Sequence, residues 1–136
     1  MKKKVKSKTA SEIIQIVKDA LEGHRFPLET EQALQGAVEE VLTPLSAHGL
    51  VCRRELVLDT RNRIDFFVQN KGAGINGVGI ELKIQGAATN IFKQVCRYAA
   101  FSRVEAVILV TNKSMTLPPE VNGTPLAIVN LGRAWL

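Results

Sequence analysis

Three residues carry the strongest chemical signal in the sequence. Asp65 lies inside Arg63-Ile64-Asp65-Phe66-Phe67-Val68, so a carboxylate is flanked by residues of core type. Further along comes Glu81-Leu82-Lys83, again among apolar neighbours. In a strand, residues i and i+2 share a face. Glu81 and Lys83 therefore point the same way and Leu82 points to the opposite layer. If the two runs form a hairpin, Asp65 lies beside Glu81 on that face. Adjacent carboxylates repel, and burial raises their pKa. A divalent cation reverses that balance, because Mg²⁺ takes oxygen ligands, commonly one or two carboxylates plus waters and substrate phosphates. The ammonium of Lys83 can then orient or deprotonate a water, or hold charge developing on a phosphate. The alternative is a plain surface ion pair between Glu81 and Lys83, since a bare D…E-x-K string arises readily by chance. Placement on two consecutive strands in apolar surroundings favours the first reading.

The elements that must position these residues follow from periodicity. Thr9 and Glu12 have capping-box spacing, and Ile13, Ile16, Val17, Ala20 and Leu21 recur at helical intervals up to Gly23. A second helix starts near Thr30, with Ala33, Leu34, Ala37, Val38, Val41, Leu42 and Leu45 on one face. Pro44 ends or kinks it, and Gly49 closes the region. The period then changes to that of strands, at 50–58, at 62–69 and, after the turn KGAGING, at 78–85. A helix is expected over 89–102 with Thr89 as its N-cap. The apolar run at 104–111 reads as a buried strand, residues 115–125 as loop, and 126–131 as a last strand. The order predicts an α/β fold, with a mixed central β-sheet flanked by helices.

Composition bounds the rest. A chain of 136 residues, 46% hydrophobic and 23% charged, fits one globular domain. No apolar stretch reaches the length of a membrane span. Ser11, Glu12, Gln15, Lys18 and Asp19 interrupt any signal-peptide core, so a cytoplasmic protein without a membrane partner is expected. The net charge of +5 is concentrated at the start, where Lys2, Lys3, Lys4, Lys6 and Lys8 account for the whole excess over the acidic residues. Residues 1–8 read as a flexible basic tail, either solubilising or a loose hold on phosphates. Residues 9–136 read as the domain.

On these residues the chain resembles the PD-(D/E)XK nuclease superfamily, over roughly residues 29–131. The resemblance implies a restriction-endonuclease-like core (α-β-β-β-α-β), here with an extra N-terminal helix. It implies Asp65 and Glu81 as metal ligands, the backbone carbonyl of Leu82 as a further ligand, and Lys83 acting on the water or the transition state. Glu31 matches the helix-borne acid that many members aim at the metal; Glu29, Glu39 and Glu40 compete for that role, and a carboxylate helping the helix dipole is the alternative. The proline that nominally precedes the aspartate is Ile64 here. Gln94 and Tyr98, four apart on one helix face, resemble the Q-x-x-x-Y element of the RecB-like and lambda-exonuclease-like branch, where the pair braces the site and touches DNA. Lys93 and Arg97 form an adjacent basic ridge suited to phosphates, and Arg53, Arg54, Arg61 and Arg63 extend the basic surface. The implied activity is that of a Mg²⁺- or Mn²⁺-dependent deoxyribonuclease, an endonuclease ahead of an exonuclease, using a metal-activated water. RNA as substrate stays open. So does a non-catalytic nucleic-acid- or partner-binding protein that reuses the nuclease fold. Relatives that act as dimers imply a homodimer, with the helix at 10–22 as interface or lid.

Other motifs carry less. Gly72-Ala73-Gly74-Ile75-Asn76-Gly77 matches G-x-G-x-x-G literally, but a strand follows it and Arg97 stands where an acid is required, so no nucleotide cofactor is expected. Cys52 and Cys96 read as buried free thiols. His24 and His48 read as loop or helix-end residues.

Overall fold

The computed structural model describes residues 7–72 and 74–132. Two helices come first, α1 (Ala10–Leu21) and α2 (Glu31–Leu42), followed by a short 3₁₀ helix at Thr43–His48. Then come β1 (Leu50–Val57), β2 (Arg63–Asn70), β3 (Gly77–Lys83), α3 (Ala88–Ala99), β4 (Val104–Thr111), β5 (Glu120–Val121) and β6 (Thr124–Asn130). The strands form one six-stranded sheet in the order β1-β2-β3-β4-β6-β5. β1, β2 and β3 are antiparallel neighbours, whereas β3, β4 and β6 run parallel. The molecule is thus an α/β fold with a mixed sheet. Among the described residues no helix is long and apolar enough to cross a membrane.

Local chemistry sets the boundaries. Thr9 caps α1 in a complete capping box with Glu12, and the Thr30 hydroxyl accepts the Ala33 N–H at the start of α2. Pro44 opens the 3₁₀ helix and Gly49, at φ 76°, ends it. Two expectations change. The cap of α3 is Ala87 rather than Thr89, because the Ala87 carbonyl itself accepts the N–H groups of Asn90 and Ile91 and Thr89 falls inside the first turn. The stretch expected as loop at 115–125 contains β5, joined to β6 through Asn122 and Gly123 at φ 49° and 83°. That is the Asn-Gly signature of a tight hairpin, and it pairs β5 with β6 where a loop is expected.

Helices cover both faces of the sheet. Ile13, Val17 and Leu21 of α1 and Leu34, Val38 and Leu42 of α2 pack on Phe66, Val68, Ile80, Leu82, Ile108 and Val129. On the other face Ile91, Val95 and Tyr98 of α3 pack on Ile64, Phe67, Val107 and Leu109. The apolar face of α1 is therefore committed to the core rather than free to serve as a lid. Of the basic N-terminal segment, residues 1–6 lie outside the described residues. Lys8 is tied down: its N–H donates to Asn70 Oδ1, its carbonyl accepts from Asn70 Nδ2, and its ammonium donates to the His48 carbonyl, each at 2.8 Å.

Candidate active site

The β2–β3 ladder pairs Val68 with Val78, Phe67 with Gly79 and Phe66 with Ile80, and goes no further. The next two positions are Asp65 and Glu81. There the side chains replace the ladder. Asp65 Oδ2 accepts the Leu82 N–H at 2.8 Å, and Glu81 Oε1 accepts the Asp65 N–H at 3.3 Å. The strands fork, and the fork is filled by two carboxyl groups.

The neighbouring strand yields at the same level. β1 pairs with β2 on either side of Glu55, but Glu55, opposite Asp65, is skipped and adopts φ 53°. Side-chain alternation switches there. Phe66 and Val68 face the α1/α2 layer, whereas Ile64, two residues from Phe66, faces α3. Room for Ile64 exists because residue 79 has no side chain: a Cβ on Gly79 would meet Ile64 Cδ1.

Each acid is held from a different layer. Gln35 of α2 donates from Nε2 to Asp65 Oδ1 at 3.1 Å. Glu81 meets α3, where the Tyr98 hydroxyl lies 3.2 Å from its Oε2 and 3.0 Å from the Arg63 carbonyl. Gln94 Nε2 donates to that hydroxyl at 2.7 Å. Lys83 Nζ stands 3.7 Å from Glu81 Oε2 and is about a quarter exposed, at 24%. The expectation of a shared face thus holds for Glu81 and Lys83. Asp65 instead turns into the fork, where its backbone N–H reaches Glu81 Oε1.

Electrostatics follow from burial. Glu81 is only 3% exposed. Burial first, and then the charge and hydrogen bond of Asp65, push its carboxyl up to about 8, against the weaker opposing pull of Lys83 and the Asp65 N–H. Glu81 thus holds its proton more tightly than an exposed carboxyl does. Burial, with the Glu81 charge beside it, also pushes the Tyr98 phenol above its ordinary value.

The remaining expected residues sort plainly. Asp65, Glu81, Leu82 and Lys83 converge, and Gln94 and Tyr98 reach the same cluster. Lys93 and Arg97 are exposed on α3, each one residue before a member of the Gln94–Tyr98 pair. Glu31 sits half-buried in the first turn of α2, and among the described residues no hydrogen bond or ion pair joins it to Asp65, Glu81 or Lys83. Gln35, one turn further along α2, makes the contact with Asp65. A search for carboxylates passes over it; its only sequence signal is the i+4 spacing from Glu31. Arg54, part of the expected basic surface, donates to Gln35 Oε1 at 3.2 Å and pairs with Glu39 at 3.3 Å. Cys52 and Cys96 are free and half-buried, and burial pushes the Cys52 thiol up to about 12. His24 and His48 are exposed. A cavity of about 540 Å³ lies elsewhere, between the end of α1 and β6, against Leu21, His24, Met115 and Val129.

The donor set fits a hard cation. Among the described residues no group of three or more His, Cys, Asp or Glu side chains converges. A pair of carboxyl groups suits an ion that keeps several waters, and does not suit a tetrahedral nitrogen–sulfur site. A dication would also relieve the repulsion that raises Glu81.

Fold and site define an α/β protein with an acid pair at a strand fork, Glu81 buried and Asp65 half-buried. No protein-family model and no curated protein matches the chain. It is similar in structure to a protein of unknown function from Silicibacter pomeroyi, with 20% sequence identity and a TM-score of 0.43 over 64% of this chain and 57% of that one. The chain spans little more than half the length of that protein.

Proposed function

We propose that the chain is a Mg²⁺- or Mn²⁺-dependent nuclease with a restriction-endonuclease-like core, hydrolysing DNA phosphodiester bonds. One observation carries the reading. Two carboxyls, one of them almost fully buried and without a full compensating charge, meet at the β2–β3 fork with an ammonium on the same strand. Such an arrangement costs stability unless it is used. Asp65 and Glu81, with the Leu82 carbonyl, would hold the cation. Once bound, it would supply positive charge and make an attacking water more acidic. Lys83, partly exposed beside Glu81, orients that water and faces the charge that builds on the phosphate oxygens. Tyr98 and Gln94 fix Glu81 from α3. Lys93 and Arg97, exposed on the same helix, are placed to hold neighbouring backbone phosphates.

The test is a digestion panel of plasmid, linear, branched and single-stranded DNA, with RNA as a further arm, in Mg²⁺ or EDTA. Cleavage is expected in Mg²⁺ only and is lost in Asp65→Ala and Lys83→Ala. Cleavage that survives both substitutions refutes the mechanism.

A further inference from the structure

We infer that Arg54 and Gln35 are positioning residues, forming a directional relay from Glu39 that fixes the rotation of the Asp65 carboxylate. The inference rests on the proposed cation site and adds to it two residues on a strand and a helix that contribute no ligand. The chain of contacts is continuous. Arg54 pairs with Glu39 Oε2 at 3.3 Å and donates to Gln35 Oε1 at 3.2 Å, and Gln35 Nε2 donates to Asp65 Oδ1 at 3.1 Å.

Direction follows from donor and acceptor types. A guanidinium donates only, so it accepts nothing but the oxygen end of the Gln35 amide. The nitrogen end must then face Asp65, where it donates to Oδ1. A flipped amide would set oxygen against oxygen at Asp65 and nitrogen against nitrogen at Arg54. Glu39 and Gln35 lie four apart on α2, one turn of helix, so a single guanidinium fork spans both. The Leu82 N–H fixes the other oxygen of Asp65. Each oxygen of Asp65 thus takes one donor from a regular element. The Arg54–Glu39 pair is about two-fifths exposed, with side chains at 38% and 46%, and such pairs add little to stability. The relay therefore acts on geometry at Asp65 more than on the fold.

The experiment uses the full chain, the variants Arg54→Met and Gln35→Met, and their combination. Mn²⁺ affinity is measured by calorimetry, urea unfolding serves as the stability control, and side-chain amide order for Gln35 is read by NMR without metal. Each single variant is expected to bind Mn²⁺ about tenfold more weakly, the usual cost of losing an outer partner of a metal ligand. The double variant is expected to lose about tenfold also, not a hundredfold, because both changes cut one relay. In metal-free Arg54→Met the Gln35 amide loses order while the unfolding midpoint holds. Wild-type Mn²⁺ affinity in Arg54→Met, or additive losses in the double variant, overturns the relay. Wild-type protein that binds no Mn²⁺ overturns the cation-site reading instead; an unchanged Gln35 amide in Arg54→Met then overturns the relay as well, and a disordered one upholds it.

Discussion

Replacing Glu81 with glutamine should make the protein more stable than wild type at pH 9 and leave the two nearly alike at pH 5. Glu81 titrates at its ordinary 4.5 in the unfolded chain and at about 8 in the folded one. A group whose folded pKa is raised binds its proton more tightly in the native state. Its contribution is complete below 4.5, is lost as pH rises, and is gone above about 8. The difference between the two pKa values corresponds to about 5 kcal/mol at pH 9, and to less than about 1 kcal/mol at pH 5. Glutamine keeps the shape of the side chain and carries no charge to desolvate or to repel Asp65. Other carboxylates titrate over the same range, so the readout is the wild-type stability minus that of Glu81→Gln, from urea unfolding at several pH values. That difference should become steadily less favourable to wild type between pH 5 and pH 8 and then level off. A difference that does not change with pH would refute the account of a buried, repelled acid, whatever its absolute size. The assay needs neither metal nor nucleic acid, so it tests the electrostatics of the fork separately from catalysis.

Two further substitutions probe how the fork is held. Tyr98→Phe strips the hydroxyl from the Arg63 carbonyl, Gln94 and Glu81; it should cost about 1–3 kcal/mol, seen as a lower urea midpoint at unchanged m, and a cost under about 0.5 kcal/mol would mean those groups find other partners. Gly79→Ala puts a methyl group where Ile64 Cδ1 now lies and should cost about 1–3 kcal/mol in thermal melts, whereas neutrality would show that Ile64 can move aside freely.

Much of the site could be read along the chain. Asp65, Glu81 and Lys83 stand out because charged residues inside apolar strand runs are rare and the two-residue strand period puts Glu81 and Lys83 together. Gln94 and Tyr98 are legible for the same kind of reason, since four-residue spacing fixes their shared helix face. The caps of α1 and α2, the strand at 104–111 and the glycine turn are local effects, settled by residues a few positions apart. What the chain alone leaves open depends on contacts between distant segments. Whether Glu31 or Gln35 meets Asp65 is set by how α2 lies across the sheet, and one helical turn separates the two answers. The switch in alternation at Ile64 depends on Glu55 leaving the ladder one strand away and on Gly79 making room on the other side. The proton on Glu81 depends on how completely α3 and β4 wall off its carboxyl, and desolvation is a property of packing that no single segment carries. Residue type and local spacing settle which groups could do chemistry and which elements hold them. Tertiary structure decided which partner each acid meets, which of them keeps its proton and where the strands part, because those are fixed by distances between chain segments that periodicity does not encode.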